Sequence, residues 1–213
     1  MISSLKSVLD NSIIVKHANN KIEFVEDDAT ARLKKVEFSV TKFLKGAGGL
    51  LRNAVVIEGD SSVSPNLSRF TFYLDQACND VTRQCDYIVF HEYNNCLRVI
   101  LCELKSSDTS AEESARIHKQ FQFSQVFSEY LTRVAESYCG INHRTPSTTN
   151  VSFYKVAFVR VPNVATPLPL GKPPVAACGI NSSNSKNGIK SLFLHTDGNG
   201  VARLSWQAFM QNI

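Results

Sequence analysis

Asp86, Glu103 and Lys105 are the residues of this chain whose types and spacing could do chemistry. They lie at the two ends of Cys85-Asp-Tyr-Ile-Val-Phe-His-Glu-Tyr-Asn-Asn-Cys-Leu-Arg-Val-Ile-Leu-Cys-Glu-Leu-Lys105, where two apolar runs flank Asn94-Asn95. Asn is one of the few residues besides Gly that tolerates positive φ, so the pair predicts a tight turn. A turn centred there sets Asp86 directly opposite Glu103. Side chains alternate along a strand, so Lys105 shares the Glu103 face while Leu104 points the other way. Ile88 and Phe90 then face Leu101 and Val99 on that same side.

Two like charges directly opposite each other repel, and something must offset the cost. A divalent cation between the carboxylates would do so, with Lys105 beside it as an ammonium or a proton relay. Carboxylate oxygens plus waters suit Mg²⁺, with Mn²⁺ the alternative. Such an ion polarises a phosphoryl oxygen and lowers the pKa of bound water, which Lys105 would orient or deprotonate. The chemistry expected is metal-assisted phosphodiester hydrolysis. It depends on register: a turn one residue longer or shorter puts the two acids on opposite faces.

The surrounding pattern predicts the elements that hold these groups. Residues 12–15 and 22–25 are short β-rich runs that read as a strand pair. Ala29, Leu33, Val36, Val40, Phe43 and Leu44 follow helical spacing, which predicts a helix over 29–44 with Arg32, Lys34, Lys35, Lys42 and Lys45 on its other face. Gly46-Ala-Gly-Gly49 ends it. Strands are expected at 55–58 and 69–74, separated by a polar turn-rich stretch. After the 85–105 hairpin, a long helix over 110–138 buries Ile117, Phe121, Ser124, Phe127 and Leu131, and 152–161 reads as a buried strand. Five of the seven prolines fall within 162–174, and 181–188 reads as a polar loop. A terminal hairpin is expected from 189–195 and 201–206, with Trp206 as its core plug.

Composition agrees with a folded, soluble chain. The 213 residues are 43% hydrophobic and 20% charged, which fits a packed core and excludes global disorder. No apolar run approaches the ~20 residues that span a bilayer. The opening MISSLKSVLD lacks the pattern of a signal peptide, which places the protein in the cytoplasm. Lys and Arg exceed Asp and Glu by 23 to 19, compatible with a polyanionic partner without demanding one. The six cysteines contain no C-x-x-C pair and read as reduced core thiols.

Other catalytic templates fail. His91-Glu92 is not followed by the second His of a zinc protease, Gly59-Asp-Ser-Ser-Val63 lacks the last Gly of a nucleophile elbow, and Gly46-Ala-Gly-Gly49 lacks the Lys of a P-loop. For the cations Lys34, Lys35, Lys42 and Lys45 a solvated helix face stands beside a phosphate-tracking surface, which Arg116 and Lys119 would extend.

Asp86, sixteen intervening residues and Glu103-Leu-Lys105 at the end of a buried strand resemble the PD-(D/E)XK nuclease superfamily. A helix before the motif, a long helix after it and a further buried strand fit the same order, over roughly residues 27 to 161. Cys85 stands where the family name has Pro. The resemblance implies a restriction-endonuclease-like mixed central sheet flanked by helices. It implies Asp86 and Glu103 as Mg²⁺ ligands and Lys105 as the water-positioning base. It also implies an acid from the preceding helix, matched by Glu37, and a Gln on the following helix, matched by Gln120 or Gln122.

The expectation is thus an α/β chain with a nuclease-like core at 1–161. Residues 162–213 would add a Pro-rich connection and a C-terminal β-hairpin extension packed on the same domain. DNA is the expected substrate in preference to RNA, and cutting both strands would favour a homodimer. The competing expectations are an RNase, or a non-cleaving nucleic-acid-binding or protein-interaction module on the same fold.

Overall fold

A computed structural model describes residues 1–59, 84–105, 111–142, 150–161 and 180–213. The expected strand at 69–74, most of the turn-rich stretch before it, and the Pro-rich 162–174 lie outside the described residues.

The 85–105 segment folds as the strand pair β4 (Tyr87–Tyr93) and β5 (Cys96–Lys105). Asn94 and Asn95 have φ of 50° and 59°, the left-handed pair that a two-residue hairpin turn requires. Around this hairpin a six-stranded mixed sheet is built with β3 (Ala54–Glu58), β6 (Asn150–Arg160), β7 (Ile180–Lys186) and β8 (Ile189–Leu194). Its order is β3-β4-β5-β6-β8-β7. The β3–β4, β4–β5 and β7–β8 pairs are antiparallel, whereas β5–β6 and β6–β8 are parallel.

The parallel step from β5 to β6 is bridged by the long helix α2 (Ala111–Asn142). Ile117, Phe121, Phe127, Leu131 and Ala135 of α2 pack on Ile88, Phe90, Val99 and Leu101 of the sheet. The expected stripe is therefore the buried one. Ser128 and Thr132 on it are satisfied by carbonyls one turn back, at 2.7 and 2.8 Å. A short helix not anticipated from the sequence, α1 (Ile2–Val8), buries Ile2 and Leu5 in the same layer.

The opposite face of the sheet is covered by strands rather than by a helix. A second sheet of β1 (Lys21–Val25), β2 (Lys35–Ser39) and β9 (Val201–Ser205) has the order β1-β2-β9. Together with α3 (Trp206–Gln211) it encloses Phe24, Phe38, Phe158, Trp206 and Phe209. Phe24 stacks on Tyr87 at 4.2 Å, and the Tyr87 hydroxyl donates to the Val25 carbonyl at 3.1 Å, tying the two sheets. The described residues thus form a mixed α/β fold with an apolar core on each side of one central sheet.

Three local expectations are corrected. Residues 29–44 are not a helix: Val36, Phe38 and Val40 alternate inward from a strand, and Phe43 is 84% exposed. Residues 12–15 form no strand but contribute a single bridge between Ile14 and Ile57. The terminal hairpin does not form as expected, because β8 and β9 belong to different sheets. The C-terminal hairpin is instead β7–β8, turned at Asn187-Gly188 with φ of 52° and 74°, so that 181–188 is largely strand. Trp206 is a core plug as expected, at the start of α3.

Cys85 and Cys102 are buried free thiols and Cys96 is partly buried. Among the described residues no helix is long and apolar enough to cross a membrane.

Candidate functional site

The β4–β5 register runs from Tyr93↔Cys96 to Tyr87↔Cys102 without a slip, so the next pair outward is Asp86 and Glu103. The Asp86 amide donates to Glu103 Oε2 at 3.2 Å, and the Leu104 amide donates to Asp86 Oδ2 at 2.6 Å. Lys105 Nζ lies 2.8 Å from Glu103 Oε1. By strand alternation Glu103 and Lys105 share the face of Val99 and Leu101, while Leu104 enters the opposite core. The structure thus brings Asp86, Glu103 and Lys105 together at this end of the strand pair.

Burial sets the electrostatics. Glu103 is 2% exposed and Lys105 9%, while Asp86 stays partly open to solvent. Burial holds the Asp86 carboxyl well above the usual carboxylate range, and the Glu103 charge adds to that; the Leu104 amide and Lys105 pull the other way. Burial also raises Glu103, against the stabilising pull of the Lys105 ammonium. Burial is the largest cause for both acids.

The close packing of β3 and α2 fixes where β4 begins. The Gly59 amide donates to the Asp86 carbonyl at 2.8 Å, and a Cβ on Gly59 would stand 2.1 Å from the Cys85 carbonyl oxygen. Only glycine allows that approach. From α2, Ser124 Oγ accepts the Cys85 amide at 2.8 Å and Gln120 Nε2 donates to the Gln84 carbonyl at 3.3 Å. Gln120 therefore reaches the segment that carries Asp86 just before β4, whereas Gln122 is exposed. The Oε1 atoms of Gln84 and Gln120 are both buried without a hydrogen-bond partner among the described residues.

Glu37 does not join this group. It lies on β2, in the other sheet, where its carboxylate meets Lys21 at 2.8 Å, Lys35 at 3.1 Å and Arg203 at 3.3 Å. The Lys21 hydrogen bond, with Lys35 behind it, holds the Glu37 carboxyl below its ordinary range despite burial. That carboxylate is already saturated by cations. Its assignment as a catalytic acid fails because the helix expected to carry it is a strand.

The acid that sequence reasoning missed is Glu26, just past β1. Its charge raises both Asp86 and Glu103. Its only signal in the sequence is the acidic run Glu26-Asp-Asp28.

The basic residues do not form one helix face. Lys34 and Lys35 stand at the start of β2, and Lys35 is engaged by Glu23 and Glu37. Lys42 and Lys45 lie in the turn after β2, while Arg116 and Lys119 are exposed on α2, across the central sheet.

Among the described residues no group of three or more His, Cys, Asp or Glu side chains is gathered to hold a metal ion. Two carboxylates do face each other with their charges disfavoured by burial, a cost that a cation offsets. They are hard oxygen donors, and Mg²⁺ characteristically takes one or two carboxylates and fills its remaining positions with water. Asp86 and Glu103 are the residues that would hold such an ion. Comparison with protein-family models, curated proteins and solved structures returns no match for this chain.

Proposed function

We propose that this protein is a metal-dependent nuclease that hydrolyses phosphodiester bonds, DNA in preference to RNA. The observation that carries the reading is the Asp86–Glu103 opposition with Lys105 Nζ 2.8 Å from Glu103 Oε1, at the buried end of a strand pair. Asp86 and Glu103 would hold Mg²⁺ or Mn²⁺. The ion supplies charge neutralisation at the phosphate and an acidified water. Lys105, tethered through Glu103, positions the attacking water and stabilises negative charge beside it. Gln120 and Ser124 act as positioning residues, fixing the backbone at Gln84 and Cys85 and so the approach of Asp86.

The order β3-β4-β5-α2-β6, with an antiparallel triplet followed by a parallel strand, supports a restriction-endonuclease-like core. The second sheet and the β7–β8 hairpin would be additions to that core.

The test is incubation of plasmid DNA, linear DNA and length-matched RNA with Mg²⁺, Mn²⁺ or EDTA. Wild type should cut DNA only with metal, and Asp86→Ala, Glu103→Ala and Lys105→Ala should each lose the activity. Equal cleavage by all four proteins would overturn the reading.

One observation favours a second reading, a non-cleaving nucleic-acid-binding module. Glu103 is already paired with Lys105, and Asp86 Oδ2 is already bonded to the Leu104 amide, so the acids have partners without an ion. Thermal melting with millimolar Mn²⁺ separates the two, because an ion held only by the folded state raises Tm. A shift present in wild type and absent in Asp86→Ala supports the nuclease. No shift in either supports the binding module.

A further inference from the structure

At one edge, the far end of β3 from Asp86, the chain gathers cations, with Glu37 beside Lys21 and Glu92 beside Asn53 as the neighbouring acids. Residues 11–22 and 38–57 contain no Asp or Glu, yet include Lys16, Lys21, Lys42, Lys45 and Arg52. The fold brings the two stretches together. The His17 amide donates to the Gly49 carbonyl at 2.7 Å and the Val40 amide to the Asn20 carbonyl at 2.8 Å, while Lys45 Nζ donates to Asn20 Oδ1.

The loop between β2 and β3 is braced. Its Gly46 amide reaches the Leu50 carbonyl at 2.7 Å, the Arg52 amide reaches Leu44 at 2.8 Å, and Lys6 of α1 donates to the Leu51 carbonyl. From this braced loop Phe43 projects into solvent, 84% exposed, the most exposed large apolar side chain among the described residues. Lys16, Lys42 and Arg52 are exposed and form no ion pair among the described residues. Just beyond, the Glu92 amide donates to the Asn53 carbonyl at 2.9 Å, which brings Tyr93 alongside. Tyr93 is 47% exposed, with the Arg98 guanidinium 4.3 Å from its ring centre.

We propose that this edge binds single-stranded nucleic acid, with Phe43 stacking on an unpaired base while Lys16, Lys42, Lys45 and Arg52 hold phosphates. A ring offered in isolation among cations suits a base, which presents one flat apolar face between charged linkages. The same ring offers a bilayer little apolar area, and a duplex keeps its base faces covered. The inference rests on nucleic acid being the substrate and adds where the strand is anchored. The anchor lies roughly 15 Å along β3 from the acid pair, so it acts on binding rather than on chemistry.

The test is fluorescence anisotropy in EDTA with a labelled oligothymidylate of about 12 nucleotides. A matched duplex and phosphatidylserine vesicles are the comparators. The single strand should bind tightest. Phe43→Ala should weaken it about ten-fold or more, and Phe43→Trp should restore it. The double variant Lys42→Gln/Arg52→Gln should flatten the plot of log K against log salt by roughly 0.7 per lost phosphate contact.

Unchanged binding by Phe43→Ala, equal affinity for the duplex, or binding to vesicles in preference to the oligonucleotide would each overturn the inference. The Mn²⁺ melting shift is read on the same Phe43→Ala protein. A retained shift with unchanged oligonucleotide affinity sinks the anchor alone. A lost strand anchor in Phe43→Ala, with no Mn²⁺ shift in wild type, sinks the nuclease alone.

Discussion

The backbone of Asp86 holds the side chain of Glu103: its amide donates to Glu103 Oε2 at 3.2 Å, while Leu104, next to Glu103, returns a bond to Asp86 Oδ2. The two acids are latched together despite their like charge. Their folded-state pKa values are raised, so the native state takes up protons more readily than the unfolded chain. That contribution favours the fold at low pH and is lost as pH rises through the raised values. Asp86→Asn, which keeps an oxygen for the Leu104 amide, should therefore melt higher than wild type near neutral pH in EDTA. The gain should be roughly 2–4 °C for each kcal/mol relieved and should shrink toward about pH 4. Melting curves across that range check it; a gain independent of pH would not fit.

Lys105 and Glu103 form a buried ion pair, and removing one member leaves the other charge stranded. Lys105→Met should lower stability by about 3 kcal/mol, and adding Glu103→Gln should recover much of that loss. Urea unfolding of the two single variants and the double variant gives the coupling energy directly. A purely additive cycle would show that the pair is not coupled.

Gly59 has no room for a side chain, since a Cβ would meet the Cys85 carbonyl at 2.1 Å. Gly59→Ala should cost roughly 1–3 kcal/mol and push back the strand start that carries Asp86. The expected signs are a lower Tm together with a smaller Mn²⁺ shift.

His91 is 6% exposed, with Nε2 3.1 Å from Asn53 Nδ2 and Nδ1 without a partner among the described residues. Burial, aided by the Arg98 charge, lowers its pKa to about 4 from an ordinary value near 6.5. A depressed folded-state pKa contributes stability that is whole above pH ~6.5 and lost as pH falls toward ~4. His91→Gln should remove that part of the acid sensitivity, about 1–2 kcal/mol after solvent screening. Urea midpoints near pH 7.5 and near pH 4.5 measure it, and wild type and variant losing stability in parallel would contradict it.

What could be read from the sequence was what local chemistry decides. Asn94-Asn95 fixes a turn, the turn fixes the register, and the register places Asp86 opposite Glu103. The stripe of α2 was equally legible because five apolar or small positions repeat over several turns. Residues 33–44 were ambiguous because Leu33, Val36, Val40 and Leu44 suit a helix while Val36, Phe38 and Val40 suit a strand. Only the burial of Phe38 against Trp206 and Phe209 decides between them, and those residues are remote in sequence. That ambiguity also misplaced Glu37 and hid Glu26. The edge strand β7 looks like a loop because its Asn and Ser side chains face water on a strand paired along one side. Its Asn187-Gly188 turn was nevertheless a readable hairpin signal. The partner of β9 was not readable at all, since a strand of five residues carries no mark of which distant strand it will join.

β2 pairs in parallel with β9, and Ser39 Oγ reaches the Leu204 carbonyl across 165 positions of chain. On a ribosome that partner emerges long after β1 and β2 have been synthesised. Until then Phe24 and Phe38 face a half-built compartment without the Trp206 and Phe209 plug. β9 and α3 thus act as a clasp, and a nascent chain stalled before residue 201 would display an aromatic surface that invites chaperones or aggregation.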